Sequence, residues 1–109
     1  MKEKVNIGAK SVELAVNAAT PLYFKAVFGQ DIYRLSMDLG DDTGEAIDNF
    51  QKLAFIMNAQ AKKDDVMSKT IEDYIAWLEK FLPMDIALAV PDIADVYMRQ
   101  TQPTVTPKK

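Results

Sequence analysis

Apolar and polar residues alternate in residues 4–16, KVNIGAKSVELAV, on both sides of Gly8. An alternation with a period of two is typical of half-buried strands, and a glycine between two such runs indicates the turn of a hairpin. The apolar positions of the two runs are Val5, Ile7, Val12, Leu14 and Val16. Because an isolated hairpin is marginally stable in water, we expect this one to pack on the segments that follow it.

After the hairpin, apolar residues recur at intervals of three and four, which predicts amphipathic helices. Thr20 followed by Pro21 indicates a hydroxyl cap and the start of the first helix, and Gly29 indicates its end. Asp31 is suited to cap another short segment that extends to about Leu39.

The next helix is predicted between about residues 43 and 62. Asp42 and Glu45 have the spacing of a capping box at its start. Its apolar row consists of Ile47, Phe50, Ala54, Met57 and Ala61, with Leu53 beside the row.

Two further helices complete the pattern. Ser68 or Thr70 is suited to cap the first of them, and Thr70 with Asp73 has box-like spacing. This helix carries Ile71, Tyr74, Ile75, Leu78 and Phe81 on one face. Pro83 ends this helix or starts the next, in which the apolar row is Ile86, Ala89, Val90, Ile93 and Tyr97. Pro91 interrupts that row, so we expect a kink or two short helices there.

The predicted fold is therefore mainly α, a small helical domain of four to five short-to-medium helices with an N-terminal β-hairpin. A single globular domain is expected over residues 1–100, with the hairpin at 4–16 and the helices at 20–100. Residues 101–109, TQPTVTPKK, contain two prolines and no periodic apolar positions. We expect them to form a flexible C-terminal tail.

The chemistry available to the chain argues against an enzyme. It contains no histidine and no cysteine, which removes the commonest general base, the thiol nucleophile and the usual metal ligands. No phosphate-binding glycine motif is present. We expect no catalytic activity, no cofactor and no metal site of these kinds.

One acidic group, Asp38, Asp41, Asp42 and Glu45, leaves two interpretations open. It is either a solvated turn with a helix cap or a weak cation site, although its spacing does not fit an EF-hand loop.

Charge, hydropathy and cysteine content indicate which partners and which cellular location to expect. The formal net charge is −3, and the basic residues are scattered rather than gathered on one predicted face, so nucleic-acid binding is not expected. The N-terminal residues lack the apolar core of a signal peptide, and no apolar run reaches the length of a membrane span. With no cysteine, an intracellular protein is the expectation.

Several apolar side chains lie off the predicted apolar rows, and others project from nearly every side of the first predicted helix. They are Tyr23, Phe24, Phe28, Phe55, Ile56, Trp77, Leu88 and Met98. Ordinary core packing explains any one of them. A domain of this size has a high ratio of surface to volume, however, so the whole set indicates some exposed apolar surface, which usually marks a partner site. We therefore treat all eight residues as candidate partner-binding residues.

Several segments resemble, in order, the tail assembly chaperones of long-tailed phages and prophages of Gram-positive bacteria. These segments are ATPLYFKAVFGQDIYRL (19–35), LAFIMNAQAK (53–62), IEDYIAWLEKF (71–81), DIALAVPDIADVY (85–97) and the lysine-ending tail. The resemblance implies a protein of the bacterial host cytoplasm that binds and solubilises the phage tape measure protein. It also implies assistance to tail-tube subunits as they polymerise, and absence from the mature virion.

Two other functions stay open, as does self-association of the chain. The first is a structural tail-completion or head–tail connector protein, which would persist in the virion. The second is a small helical transcriptional regulator, which would require a helix-turn-helix with a basic recognition helix. The predicted helices here are acidic or neutral.

Overall fold

The computed structural model describes residues 2–34 and 44–100. Within them the protein is mainly helical, with four α-helices and an N-terminal antiparallel hairpin, so the predicted fold class is confirmed. The predictions that concern Asp38, Asp41, Asp42, the segment ending near Leu39 and the tail 101–109 lie outside the described residues. The domain boundaries stay a prediction.

The hairpin consists of β1 (Lys2–Ile7) and β2 (Lys10–Ala15), with Val5 opposite Val12 in the register. Gly8 starts the turn with a φ of +62°, in the left-handed region that favours glycine. A Cβ at this position would also lie 2.5 Å from the Asp85 Oδ2 atom. The turn therefore needs glycine both for its backbone conformation and for its close approach to the last helix.

Helix α1 (Thr20–Phe28) ends at Gly29, whose φ of +68° gives the left-handed C-cap that the sequence predicts. A short 3-10 turn follows at Ile32–Arg34, where an Asp31 carboxylate oxygen accepts a hydrogen bond from the Tyr33 N–H at 3.0 Å. The predicted capping role of Asp31 is confirmed for this turn.

Thr20 does not cap α1 as predicted. The N-cap is Ala19, and Thr20 lies in the first turn with its side chain buried. Its hydroxyl donates to Gln60 Oε1 at 2.7 Å and accepts from the Asn17 N–H at 3.0 Å. The buried position explains the difference, because the hydroxyl joins α1 to the helix that contains Gln60.

Helix α2 (Glu45–Ala61) runs through the centre of the fold. It begins after Gly44, which has a φ of +76° and is the N-cap, with no side-chain capping bond. The predicted capping box includes Asp42, which lies outside the described residues, so it stays a prediction. The helix itself starts about two residues later than predicted. Residues 53–59 are all buried, because β2, α1, α3 and α4 pack around this helix. The predicted apolar row is buried except for Ile47, which is exposed.

Helix α3 (Ile71–Leu78) has the predicted capping box at Thr70. The Asp73 N–H donates to Thr70 Oγ1 at 3.2 Å, and the Thr70 N–H donates to Asp73 Oδ2 at 2.9 Å. Its buried face differs from the predicted one. Tyr74 and Trp77 are buried, whereas Ile71 and Ile75 are 48% and 50% exposed. The helix is rotated so that its two aromatic rings pack on α2.

Helix α4 (Pro83–Gln100) is continuous through Pro91, so the alternative of two short helices is wrong. Pro91 is on the exposed side of the helix, and Ala87, whose carbonyl loses its usual donor, is partly exposed. The predicted apolar row is buried, as Ile86, Val90 and Ile93 illustrate. Pro83 occupies the first helical position, one of the two roles that the sequence allows.

Candidate partner-binding surface

A chain of aromatic rings crosses the interior from α1 to α3. The rings of Phe24 and Phe28 lie 5.2 Å apart between centroids, and those of Phe28 and Tyr74 lie 5.0 Å apart in an edge-to-face arrangement. Phe55 contacts both Tyr74 and Trp77, with centroids at 5.5 and 5.7 Å. Such edge-to-face pairs stabilise the core beyond the burial of their area.

Four of the eight candidate residues are core residues. Phe24 and Ile56 are fully buried, and Phe55 and Trp77 are nearly so. None of the four is available to a partner on this folded surface, so their selection as partner-binding residues is corrected. The reason is the central position of α2: neighbouring elements cover its off-row residues Phe55 and Ile56, and Phe24 on α1 and Trp77 on α3 belong to the same core cluster.

Asn58 is a polar residue of the core that the sequence analysis does not identify. Its Oδ1 accepts a hydrogen bond from Trp77 Nε1 at 3.1 Å, and its Nδ2 donates to the Glu13 carbonyl at 2.8 Å. Trp77 is therefore held by a hydrogen bond that also connects α2 to β2. An asparagine inside an apolar helical run is the sequence signal that could have drawn attention to this role.

Tyr23 and Phe28 are partly buried and pack against the core cluster. The Lys52 Nζ lies 5.7 Å from the centroid of the Phe28 ring, within range of a cation–π interaction. The accessible part of both rings is small, and their role in partner binding stays a prediction.

Leu88 and Met98 lie on an exposed surface, and they belong to a row. We call Met84, Leu88, Pro91, Asp95 and Met98 the outer α4 row. The intervals of four, three, four and three residues place these positions along one side of a helix, opposite its buried side. Met84 is 66% exposed and Leu88 is 71% exposed. Met84, Leu88 and Met98 thus place three large apolar side chains along one exposed side of the helix, and exposed apolar surface of this kind marks a candidate contact site.

A second group of exposed apolar residues lies on and beside α3. We call Met67, Ile71, Ile75 and Leu82 the outer α3 face. The sequence pattern places Ile71 and Ile75 on one helix face together with Tyr74, because their spacing is as regular as that of the buried aromatic residues. Only the packing of α3 on α2 decides which of the two faces is exposed.

The segment that carries most of this apolar surface is acidic. Residues 71–98 contain six carboxylates and one cationic side chain, Lys80. Arg99 follows directly, but Glu3 and Asp95 bind it, each with a nitrogen–oxygen distance of 2.9 Å. Hydrogen bonds from Gln100 and then Arg99 lower the pKa of Glu3. The exposed apolar rows are therefore flanked by negative charge.

Burial raises the pKa of the Tyr74 hydroxyl to about 12, and the nearby charge of Asp48 acts in the same direction. The pKa of Tyr97 is also raised, mainly by burial. Both shifts follow mainly from removal of a phenolate from water.

The described residues offer little for small-molecule chemistry. An opening of about 480 Å³ lies between the end of β2, the start of α1 and the end of α4, where it is lined by Pro21, Tyr33, Tyr97 and Gln100 among others. Gln100 Oε1 is buried there without a hydrogen-bond partner, while its Nε2 donates to Glu3. Within residues 2–34 and 44–100, no group of three or more acidic residues could hold a metal ion.

In the same described ranges, no helix combines the length and the apolar character needed to cross a membrane. Comparison of the chain with protein-family models, curated proteins and solved structures finds no match.

Proposed function

We propose that this protein is a tail assembly chaperone that binds and solubilises a phage tape measure protein in the cytoplasm of the bacterial host. The proposal also includes assistance to tail-tube polymerisation and departure before the virion is complete. It starts from the resemblance of five segments, in order, to that family.

The observation that carries the proposal is the exposed apolar surface on α3 and α4. Leu82, Met84 and Leu88 are each more than 60% exposed. A protein that holds an aggregation-prone client needs accessible apolar side chains, and methionine suits this role because its flexible side chain adapts to varied surfaces. The surrounding carboxylates support solubility of the complex.

The test is co-expression of the full chain with the tape measure protein encoded beside it. We expect the tape measure protein to be largely insoluble alone, and to become soluble and co-purify when this chain is present. If it stays insoluble and does not co-purify, the proposal is wrong. Mass spectrometry of purified virions provides the second readout, since a structural tail or connector protein would be found there and a chaperone would not.

A variant pair shows whether exposed apolar residues perform the binding. The double variant Ile71→Gln/Ile75→Gln lacks two apolar side chains of the outer α3 face. We expect the soluble fraction of the tape measure protein to be several-fold smaller with this variant than with the wild type. Leu22→Gln is the matched control, because Leu22 is 60% exposed but lies on α1. Circular dichroism confirms that all variants are folded.

A further inference from the structure

Helix α4 is apolar on two opposite sides. One side, with Ile86, Val90 and Ile93, is buried in the core. The other is the outer α4 row, and its alternating intervals of four and three residues average 3.5 residues. This is the spacing with which one helix presents a seam to another helix in a coiled coil. The outer row therefore has the form of a helix-binding seam.

Pro91 adds a polar feature in the middle of the outer α4 row. Proline has no N–H, so the Ala87 carbonyl cannot receive the usual hydrogen bond from residue 91. Ala87 is partly exposed, one turn before Pro91.

The charges beside the row determine what kind of helix is complementary. Asp92 follows a row position directly and Asp95 lies within the row, whereas the Asp85 carboxylate lies against the Gly8 turn. Among the cations nearby, Arg99 already bridges Glu3 and Asp95, and Lys4 lines the same opening as Asp92 and Asp95. A helix with Lys or Arg beside its own apolar row would neutralise these carboxylates, whereas one with acidic flanks would be repelled.

A second copy of the chain is a poorer occupant of the same row. Pairing two outer α4 rows would withdraw each Asp95 carboxylate and its Arg99 partner from water, and the desolvation cost of a buried ion pair can exceed its Coulombic gain. It would also bring together two acidic segments.

We propose that the outer α4 row binds an amphipathic helix of a partner protein, with apolar residues at three- and four-residue intervals and Lys or Arg at the flanking positions. This inference rests on the proposed function only in that the chaperone's client would supply the helix.

The experiment uses the purified full chain and two fluorescently labelled synthetic peptides that share a leucine row of this spacing. One peptide has Lys at the flanking positions and the other has Glu. We expect the Lys peptide to bind at least about tenfold more tightly at low salt by fluorescence anisotropy, with a preference that falls as salt is added. Equal affinity for both peptides, or binding of neither, overturns the inference.

Two variants connect this binding to the outer α4 row. Leu88→Gln should weaken binding of the Lys peptide by about tenfold or more, whereas Leu22→Gln on α1 should leave it unchanged. Asp92→Lys should reduce the preference for the Lys peptide by about fivefold. No effect of Leu88→Gln places the binding elsewhere and overturns the inference. So does a dimer of the chain, seen by sedimentation, that Leu88→Gln dissociates.

Failure of the proposed helix-binding row can be distinguished from failure of the proposed chaperone function. If the Leu88→Gln variant still solubilises the tape measure protein as well as the wild type does, the chaperone function stands and the outer α4 row is not its binding site. If the Lys peptide binds through Leu88 but the tape measure protein is not captured, the helix-binding row stands and the chaperone function is wrong.

Discussion

Asn58 is the residue at which three elements of the fold meet. It lies on α2, accepts a hydrogen bond from Trp77 on α3 and donates one to the Glu13 carbonyl on β2. A buried amide is tolerated only when its polar groups are paired, because each unpaired group loses its hydration without compensation. Asn58 thus fixes the position of the Trp77 ring as well as satisfying its own polar atoms.

We predict that Asn58→Ala lowers the free energy of unfolding by about 2–3 kcal/mol, because it leaves the buried Trp77 N–H without an acceptor. Urea unfolding of the two single variants Asn58→Ala and Trp77→Phe and of the double variant measures the effect. We expect a coupling of about 1 kcal/mol or more between the two sites. Strictly additive effects would show that the Asn58–Trp77 hydrogen bond does not stabilise the fold.

The raised pKa of Tyr74 predicts that the free energy of unfolding falls at alkaline pH. Its pKa is raised to about 12 in the folded protein, against about 10 when it is unfolded. The contribution to stability is therefore complete below about pH 10 and is lost as the pH rises towards 12, because the unfolded state releases the proton first.

The full contribution of this Tyr74 pKa shift to the free energy of unfolding is about 2–3 kcal/mol. We expect Tyr74→Phe to have a shallower decline of the unfolding free energy than the wild type between about pH 9 and 12. Some slope should persist in the variant, since burial raises the pKa of Tyr97 as well. Parallel pH profiles for wild type and variant would contradict the prediction.

At the scale of elements, α3 shows both the strength and the limit of sequence patterns. Its start is a local property: the capping box requires only Thr70 and Asp73 at the correct spacing, and it is present as predicted. Its orientation is not local. The row with Ile71 and Ile75 and the pair Tyr74 and Trp77 are both compatible with helical spacing, and packing on α2 selects the aromatic pair.

We predict that Thr70→Ala costs about 1 kcal/mol of stability, because the Asp73 N–H loses its acceptor at the start of a short helix. Thr70→Ser keeps a hydroxyl at the cap and should retain most of the stability. Thermal unfolding of the three proteins measures this, and a similar loss in both variants would mean that the methyl group of Thr70, not its hydroxyl, stabilises this region.

Helix α4 gives the complementary lesson. Its buried row follows from the sequence pattern, but Pro91 predicted a kink or two short helices, and the structure has one continuous helix. The proline is accommodated because it lies on the exposed side, away from the packed one. Which side a residue faces depends on the neighbours of the helix, and those are not encoded in the helix alone.

At the scale of the whole molecule, the central position of α2 explains why some of the candidate partner-binding residues are buried. A helix at the surface has one buried row, and this assumption led to the selection of Phe55 and Ile56 as surplus apolar residues. Because β2, α1, α3 and α4 surround α2, these side chains are buried too. The apolar surface that the composition indicates lies instead on the outer sides of α3 and α4, where Leu88 and Met98 were predicted and Ile71, Ile75 and Met84 were not.

The sequence by itself determined the features that depend on neighbouring residues: the two strands with their glycine turn, the C-cap at Gly29, the capping box at Thr70 and the mainly helical fold class. These arise from backbone conformation and short-range hydrogen bonds, which residue type and spacing specify. Tertiary structure decided which apolar side chains are exposed, since a side chain is buried only when another element covers it. The candidate partner surface is therefore a property of how the helices pack around α2.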